Sequence, residues 1–403
     1  MFRNGHLHTT KIAKTTHSKM GVIRLIGCIL LVLPCVLTEF YRFCYYGSWA
    51  SNRHAPNALR PGDINPSLCS HLSYSFLDLD DTATRIIPTP DPPHPETLMT
   101  QFNNLKKRNR SLKTIASVGG WAMGTEAFIK LVSSQDLMNQ FAGNAVTFLR
   151  THNFDGLDLD WEYPGVEYRG GKPEEKQRFV QLLKTVREAF ESDPEVQKGR
   201  ERLLLTCAVG VTEDLVTTAY NVTGIAQYSD LINLMMYDFH GEWENTVNVH
   251  SALYSDFDLS VDRFVKLWVS EGAPKSKLLM GLPLYGRSFT LVDPNNNTVG
   301  APSSEGHDMP YYQVCQMIKE HQITPTTLSN ERVPYFVHNN LWVGYEDRAS
   351  IREKAQYLRA EGLAGAMVWA IDLDDFHGTC EQGQYPLMNA LNLIISPDNA
   401  IVG

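Results

Sequence analysis

Hydrophobic residues along this chain recur with two alternating periods. Eight short runs rich in β-branched, aromatic and aliphatic residues are spaced through it: Phe43 to Tyr46, His71 to Phe76, Thr114 to Val118, Gly156 to Trp161, Leu203 to Val209, Leu231 to Tyr237, Leu279 to Leu284 and Gly365 to Ile371. Several are apolar on both faces, the pattern of strands buried in a parallel sheet. Between them the period lengthens to that of a helix. Lys172 to Ser192 places Phe179, Leu182, Leu183, Val186 and Phe190 on one stripe, with Pro173 suited to a first turn. Ser260 to Glu271 repeats the pattern with Val261, Phe264, Val265 and Trp268 ahead of Gly272, and Ser350 to Glu361 does so ahead of Gly362. Eight strands alternating with helices predict an α/β chain folded as a (β/α)8 TIM barrel rather than an open doubly wound sheet. No GxGxxG follows the first strand, which weakens a dinucleotide-binding reading.

One interval breaks the rhythm. The stretch between the seventh and eighth runs holds the turn-rich DPNNNTVGAPSSEG, an amphipathic segment near Tyr311 to His321, and strand-like pieces at Val333 to Val337 and Leu341 to Tyr345. Structureless loops longer than about 15 residues are uncommon. The spacing therefore predicts a small α+β insertion over 288–355, between strand 7 and helix 7 of a barrel spanning 39–395.

The fourth run carries the chemistry. In FDGLDLDWEYP, from Phe154 to Pro164, Asp158, Asp160 and Glu162 alternate with Leu157, Leu159 and Trp161. Strand side chains alternate faces, so the three acids share one face and the apolar residues the other. Carboxylates two positions apart sit on backbones about 6.6 Å apart, where at an effective dielectric near 20 they repel by roughly 2.5 kcal/mol. Such repulsion raises one pKa by about two units and keeps a proton available near neutral pH, as a general acid requires. A solvated acidic loop would not need Leu, Leu and Trp between its acids.

Composition changes this picture little, but charge and cysteine content place it. The 403 residues are 43% apolar and 20% charged, ordinary for a globular chain, with formal net charge −9. Arg3, Lys11, Lys14, Lys19 and Arg24 all precede the first acid, Glu39, so the remainder is more acidic still. That balance argues against nucleic acid or an anionic membrane as partner and suits a neutral polysaccharide. The basic segment with its apolar run Leu25 to Leu37 is short for a bilayer span and reads as a signal segment over 1–38, with Met20 as a more usual start. Secretion, without stable membrane association after removal of that segment, is expected. Beyond Cys28 and Cys35, five cysteines remain: Cys44, Cys69, Cys207, Cys315 and Cys380. In an oxidising compartment two pairs and one leftover are expected, and spacing alone leaves the pairing open. Asn109, Asn221 and Asn296 open glycosylation sequons. No HExxH is present, and the HxH at His6 to His8 falls within the expected signal segment, so no metal is expected.

The motif DGLDLDWE resembles the DGxDxDWE signature of family-18 glycoside hydrolases, the chitinases, most of all their secreted animal members, and similar segments run from about Phe43 to Leu391. The resemblance implies hydrolysis of β-1,4 bonds between N-acetylglucosamine units of chitin or chitooligosaccharides, endo action, no cofactor and a monomer. It implies that Glu162 donates a proton to the glycosidic oxygen, that Asp160 orients the substrate acetamide and Asp158 supports it from below, and that Asp155 is a structural anchor. Most glycosidases need a second carboxylate as nucleophile or base. In this family the sugar's own N-acetyl oxygen attacks instead, with net retention, and Tyr237 would hold that acetamide. Asp238, Tyr285 and Arg287 would contact the sugar, and Trp49, Trp121, Trp243 and Trp369 match tryptophans that line the family's groove. Flat aromatic faces suit pyranose rings. The pairs Cys44 with Cys69 and Cys315 with Cys380 follow from the same resemblance, as does an insertion forming one wall of the cleft. Relatives that lost the acid are chitin-binding lectins, and an endo-N-acetylglucosaminidase shares the fold; these are the alternative readings.

Overall fold

The computed structural model describes residues 40–256 and 259–396. The expected signal segment, with Cys28, Cys35 and Met20, lies outside the described residues. Among the described residues fourteen strands occur in chain order: β1 (Tyr41–Gly47), β2 (His71–Leu79), β3 (Ile86–Pro88), β4 (Lys113–Gly119), β5 (Gly156–Asp160), β6 (Leu204–Val209), β7 (Leu231–Leu234), β8 (Leu278–Pro283), β9 (Tyr285–Leu291), β10 (Ser303–Pro310), β11 (Thr326–Leu328), β12 (Val333–His338), β13 (Leu341–Gly344) and β14 (Gly365–Trp369). Parallel pairing runs β1-β14-β8-β7-β6-β5-β4-β2, and β2 pairs back with β1, so eight parallel strands close into a barrel. The eight predicted runs are these strands. The short β3 was not expected and joins β2 antiparallel.

Alternation sorts the barrel's side chains. Leu157 and Leu159 of β5 point outward into the layer beneath the helices, where Trp161 stacks on Phe128 at 5.2 Å and meets Phe179 edge-on at 5.8 Å. Inside, Phe43, Ile115, Leu231, Leu279 and Met367 form an apolar plug. Side chains fill a barrel of this size in layers. Above the plug comes a polar layer of Tyr45, Ser117, Asp158, Thr206 and Asn233, all fully or almost fully buried.

The helices form where the stripes predict. Val261–Ser270 buries Val261, Phe264, Val265 and Trp268, and Ser260 caps it by accepting from the Arg263 N–H. Arg348–Glu361 starts at a capping box between Asp347 and Ser350 and stops at Gly362, whose φ of 69° suits a residue without a side chain. Glu175–Glu191 buries the expected Phe179, Leu182, Leu183, Val186 and Phe190, each contributing about 1.5–3 kcal/mol relative to exposure. Pro173 lies before this helix rather than in its first turn.

The second sheet runs β10-β9-β13-β12-β11, antiparallel throughout, and packs Phe289, Leu291, Val333 and Trp342 with Val247. It fills the interval between β8 and the helix at Arg348. The helix Tyr311–Glu320 belongs to it, and the Cys315–Cys380 disulfide ties that helix to the segment after β14. Cys44–Cys69 is the other disulfide, joining β1 to the approach of β2, and Cys207 is a buried free thiol. No described helix is long and apolar enough to cross a membrane.

Candidate active site

Four strand ends are shorter than the sequence suggests, and each difference sits at the barrel mouth. β5 ends at Asp160, so Glu162 stands beyond its last ladder residue. β7 ends at Leu234 because the Met236 N–H turns back to the Leu234 carbonyl at 2.9 Å, a three-residue turn that breaks the ladder. Tyr237 and Asp238 therefore lie in the following loop, Asp238 with a φ of 58°. Tyr285 and Arg287 belong to β9 of the insertion, not to the end of β8. β14 stops at Trp369, two residues before the expected limit.

These residues meet in one cleft of about 1530 Å³. It is lined by Asp160, Glu162, Tyr237, Asp238, Tyr285 and Arg287, and by Trp49, Trp121, Trp243 and Trp369. Asp158 lies beneath it, wholly buried, where its carboxylate accepts from Thr206 Oγ1 at 2.6 Å, Ser117 Oγ at 2.7 Å, Tyr45 OH at 2.7 Å and Asn233 Nδ2 at 3.2 Å. Burial pushes its carboxyl up, and those four donors pull it partly back. Asp155 is outside the cleft, held by Lys106 and the Thr114 N–H.

Asp160 has no such support. It is 4% exposed, and its Oδ1 is buried without a hydrogen-bond partner. Burial, then the Glu162 and Asp158 charges, push its carboxyl well above the ordinary range. Burial also pushes Glu162 up to about 7, against the opposing pull of Tyr163 and Arg169. Neighbouring carboxyls of this kind take up and release their protons as a pair rather than singly. Tyr237 turns its hydroxyl to Met367 Sδ at 3.7 Å, a weak acceptor, and packs edge-on against Tyr285.

Close backbone approach makes the floor. The Gly120 N–H donates to the Asp160 carbonyl at 2.9 Å, and a Cβ on Gly119, whose φ is 120°, would fall 2.1 Å from the same oxygen. Phe76 enters the cleft where the β2–β4 register shifts between Tyr74 and Leu77, and stacks on Trp369 at 5.6 Å. Ser75–Phe76, Glu162–Tyr163 and Trp369–Ala370 are cis peptides. The aromatic walls stay open: Trp121 is 57% exposed and Trp243 56%, each with a guanidinium on one face, Arg169 at 3.8 Å and Arg287 at 4.9 Å.

Asp238 and Arg287 are tied to each other. Arg287 donates through Nε and Nη2 to the two oxygens of Asp238, at 3.0 and 2.9 Å, while Tyr285 OH donates to Asp238 at 2.6 Å. Burial pushes the Asp238 carboxyl up, but the His250 hydrogen bond and then the Arg287 charge outweigh it and hold the group below its ordinary range. Sequence reasoning did not single out Phe76, Tyr163, Arg169, Glu242, His250 or Asp308. It also passed over the layer that holds Asp158, although a lone Asn in the apolar run Leu231–Leu234 is the kind of mark that could have found it. Among the described residues, the one group with metal-ligand atoms close together, Cys315, Asp375 and Cys380, has both sulfurs in a disulfide.

Comparison with known proteins agrees with this geometry. The sequence model of "Glycosyl hydrolases family 18" matches residues 42–374. Mouse (Mus musculus) chitotriosidase-1 is 40% identical over 367 residues, covering 86% of this chain and 76% of that protein. The crystal structure of an Ostrinia furnacalis Group IV chitinase superposes with a TM-score of 0.82 at 31% identity, covering 89% of this chain and all of that one. Human YKL-39, described as a pseudo-chitinase with retained chitooligosaccharide binding, superposes at 0.81 with 36% identity, covering 88% of this chain and 98% of that one.

Proposed function

Because this chain belongs to glycosyl hydrolase family 18, we propose that it is a secreted chitinase that cleaves β-1,4 bonds between N-acetylglucosamine units with net retention. The observation that carries the reading is Glu162, with its proton held to about pH 7, at the floor of an aromatic-lined cleft. A family fold without a protonatable acid would support binding alone.

Glu162 gives its proton to the departing glycosidic oxygen. The substrate's acetamide oxygen attacks its own anomeric carbon, so the chain supplies no nucleophile. Asp160, whose buried Oδ1 lacks a partner, accepts the acetamide N–H and stabilises the oxazolinium-like cation as it forms. Tyr237 donates to the acetamide oxygen and fixes its approach, exchanging a weak sulfur acceptor for a better one. Asp158 holds the charge balance beneath, and Trp369 floors the reacting sugar. Trp49, Trp121 and Trp243 supply flanking platforms, and Tyr285 with Asp238 and Arg287 forms the polar wall. The barrel over 39–395 and the insertion expected over 288–355, whose sheet begins at Tyr285, are the two walls' scaffolds. Of the sequons, Asn296 is the exposed one, whereas Asn109 and Asn221 already use their Nδ2 groups on Pro66 and Gln177. We therefore read Asn296 as the sequon most open to glycosylation and the protein as a monomer.

The test is turnover of chitohexaose followed by NMR of the first product anomer. The β-anomer is the expected outcome. An α-anomer refutes the acetamide mechanism, no turnover with binding retained supports the lectin alternative, and cleavage only of glycoprotein N-glycans supports the endo-N-acetylglucosaminidase.

A further inference from the structure

Arg287 has almost no donor left for a ligand. Its side chain is 9% exposed, Nε and Nη2 are on Asp238, and Nη1 bonds both Glu242 at 2.6 Å and Asp308 at 2.9 Å. A guanidinium has five N–H donors in a fixed fork, and four of these are spent on carboxylates. Glu242 and Asp308 each commit one oxygen to that guanidinium and keep side chains 43% and 61% exposed. They line the same cleft as the open ring of Trp243, which lies against the same guanidinium. This corner thus presents acceptors, three carboxylates around one guanidinium, with His250 3.4 Å from Asp238. Along the rest of the cleft Glu167 and Asp214 add to the acidic lining, and Arg287 is the one basic side chain lining it among the described residues. Asp160, with its unpartnered buried oxygen, lies in the same cleft.

A neutral acetamide brings one N–H donor and a carbonyl that needs a donor in return. An ammonium brings a positive charge and three donors, and asks for nothing back. Resting on the hydrolase reading, we propose that Glu242 and Asp308 receive the 2-ammonium group of a glucosamine unit stacked on Trp243, so that the favoured substrate is partly deacetylated chitin. The acetyl group is required on the reacting sugar, where it supplies the attacking oxygen, and is dispensable at this corner.

Binding is the direct readout, because it does not depend on turnover. Calorimetric titration of the Glu162→Gln protein, in buffer acid enough to protonate the sugar amine, compares chitohexaose with hexamers carrying glucosamine at one end or the other. One end isomer is expected to bind about fivefold more tightly than chitohexaose at low ionic strength, the factor given by about 1 kcal/mol from half-exposed ion pairs. That gain should collapse in about 0.5 M salt, where exposed charges are screened, and in the Glu242→Gln/Asp308→Asn protein. If neither isomer gains, or the gain survives both salt and the double substitution, the proposal is overturned. Absence of chitohexaose turnover by the unsubstituted protein would sink the hydrolase reading separately, leaving the affinity ratio to be judged on its own.

Discussion

The Tyr45 hydroxyl donates to Oδ2 of Asp158 across the barrel interior at 2.7 Å, and accepts in turn from Asn233 Nδ2 at 3.0 Å. The first barrel strand is thereby tied to the strand that carries the acids. Tyr45→Phe deprives a fully buried carboxylate of one of its four donors and leaves the Asn233 amide short of an acceptor. The expected loss is about 1–3 kcal/mol of stability, measured by urea unfolding. Because Asp158 props the pair above it, kcat should fall while KM changes little.

Asp160 makes a prediction of the opposite sign. Its folded pKa lies above the unfolded value, so the folded state binds the proton more tightly and loses stability as pH rises between the two. Asp160→Asn removes that cost. By calorimetry the variant's Tm should match the parent's near pH 4, about where an unfolded carboxyl titrates, and exceed it increasingly towards neutral pH and above. A difference that does not grow with pH contradicts the assignment.

The rate should follow the proton on Glu162. With that carboxyl pushed up to about 7, kcat/KM on a fluorogenic chitobioside is expected to fall as pH rises through about 7. A rate flat from pH 6 to pH 9, roughly a unit or more on either side, would mean that another group carries the proton.

Two glycines separate site geometry from general conformational effects. Gly119→Ala sets a Cβ 2.1 Å from the Asp160 carbonyl at a φ of 120°, and should cost at least about 3 kcal/mol. Gly143→Ala, inside the helix Gln135–His152 with nothing within 4 Å, should gain about 0.4–1 kcal/mol. Thermal melting of both proteins checks the contrast.

The barrel was legible because its strands and helices carry different hydrophobic periods, and Leu157, Leu159 and Trp161 mark the outward face of β5 as plainly as the acids mark the inward one. The cleft's open aromatics and acids followed from the motif and the resemblance. Less legible was what depends on chain reversal rather than on period. The turn at Leu234 that moves Tyr237 and Asp238 off the strand has no Gly or Pro to announce it. Pairing across elements was equally hidden: Glu242, Arg287 and Asp308 lie far apart in sequence and meet only when β9 and β10 fold against the loop after β7. Tyr45, Ser117, Thr206 and Asn233 come from four strands, and each alone looks like an ordinary buried polar residue.

Substitution of one oxygen tests the central claim most directly. Glu162→Gln keeps the side chain's shape and removes its titratable proton. On chitohexaose, kcat should fall by a factor of about 10²–10⁴, the range expected when a general acid is lost, while calorimetric affinity for the same oligomer stays within about threefold, less than 1 kcal/mol. A variant that retains the parental kcat would contradict the account.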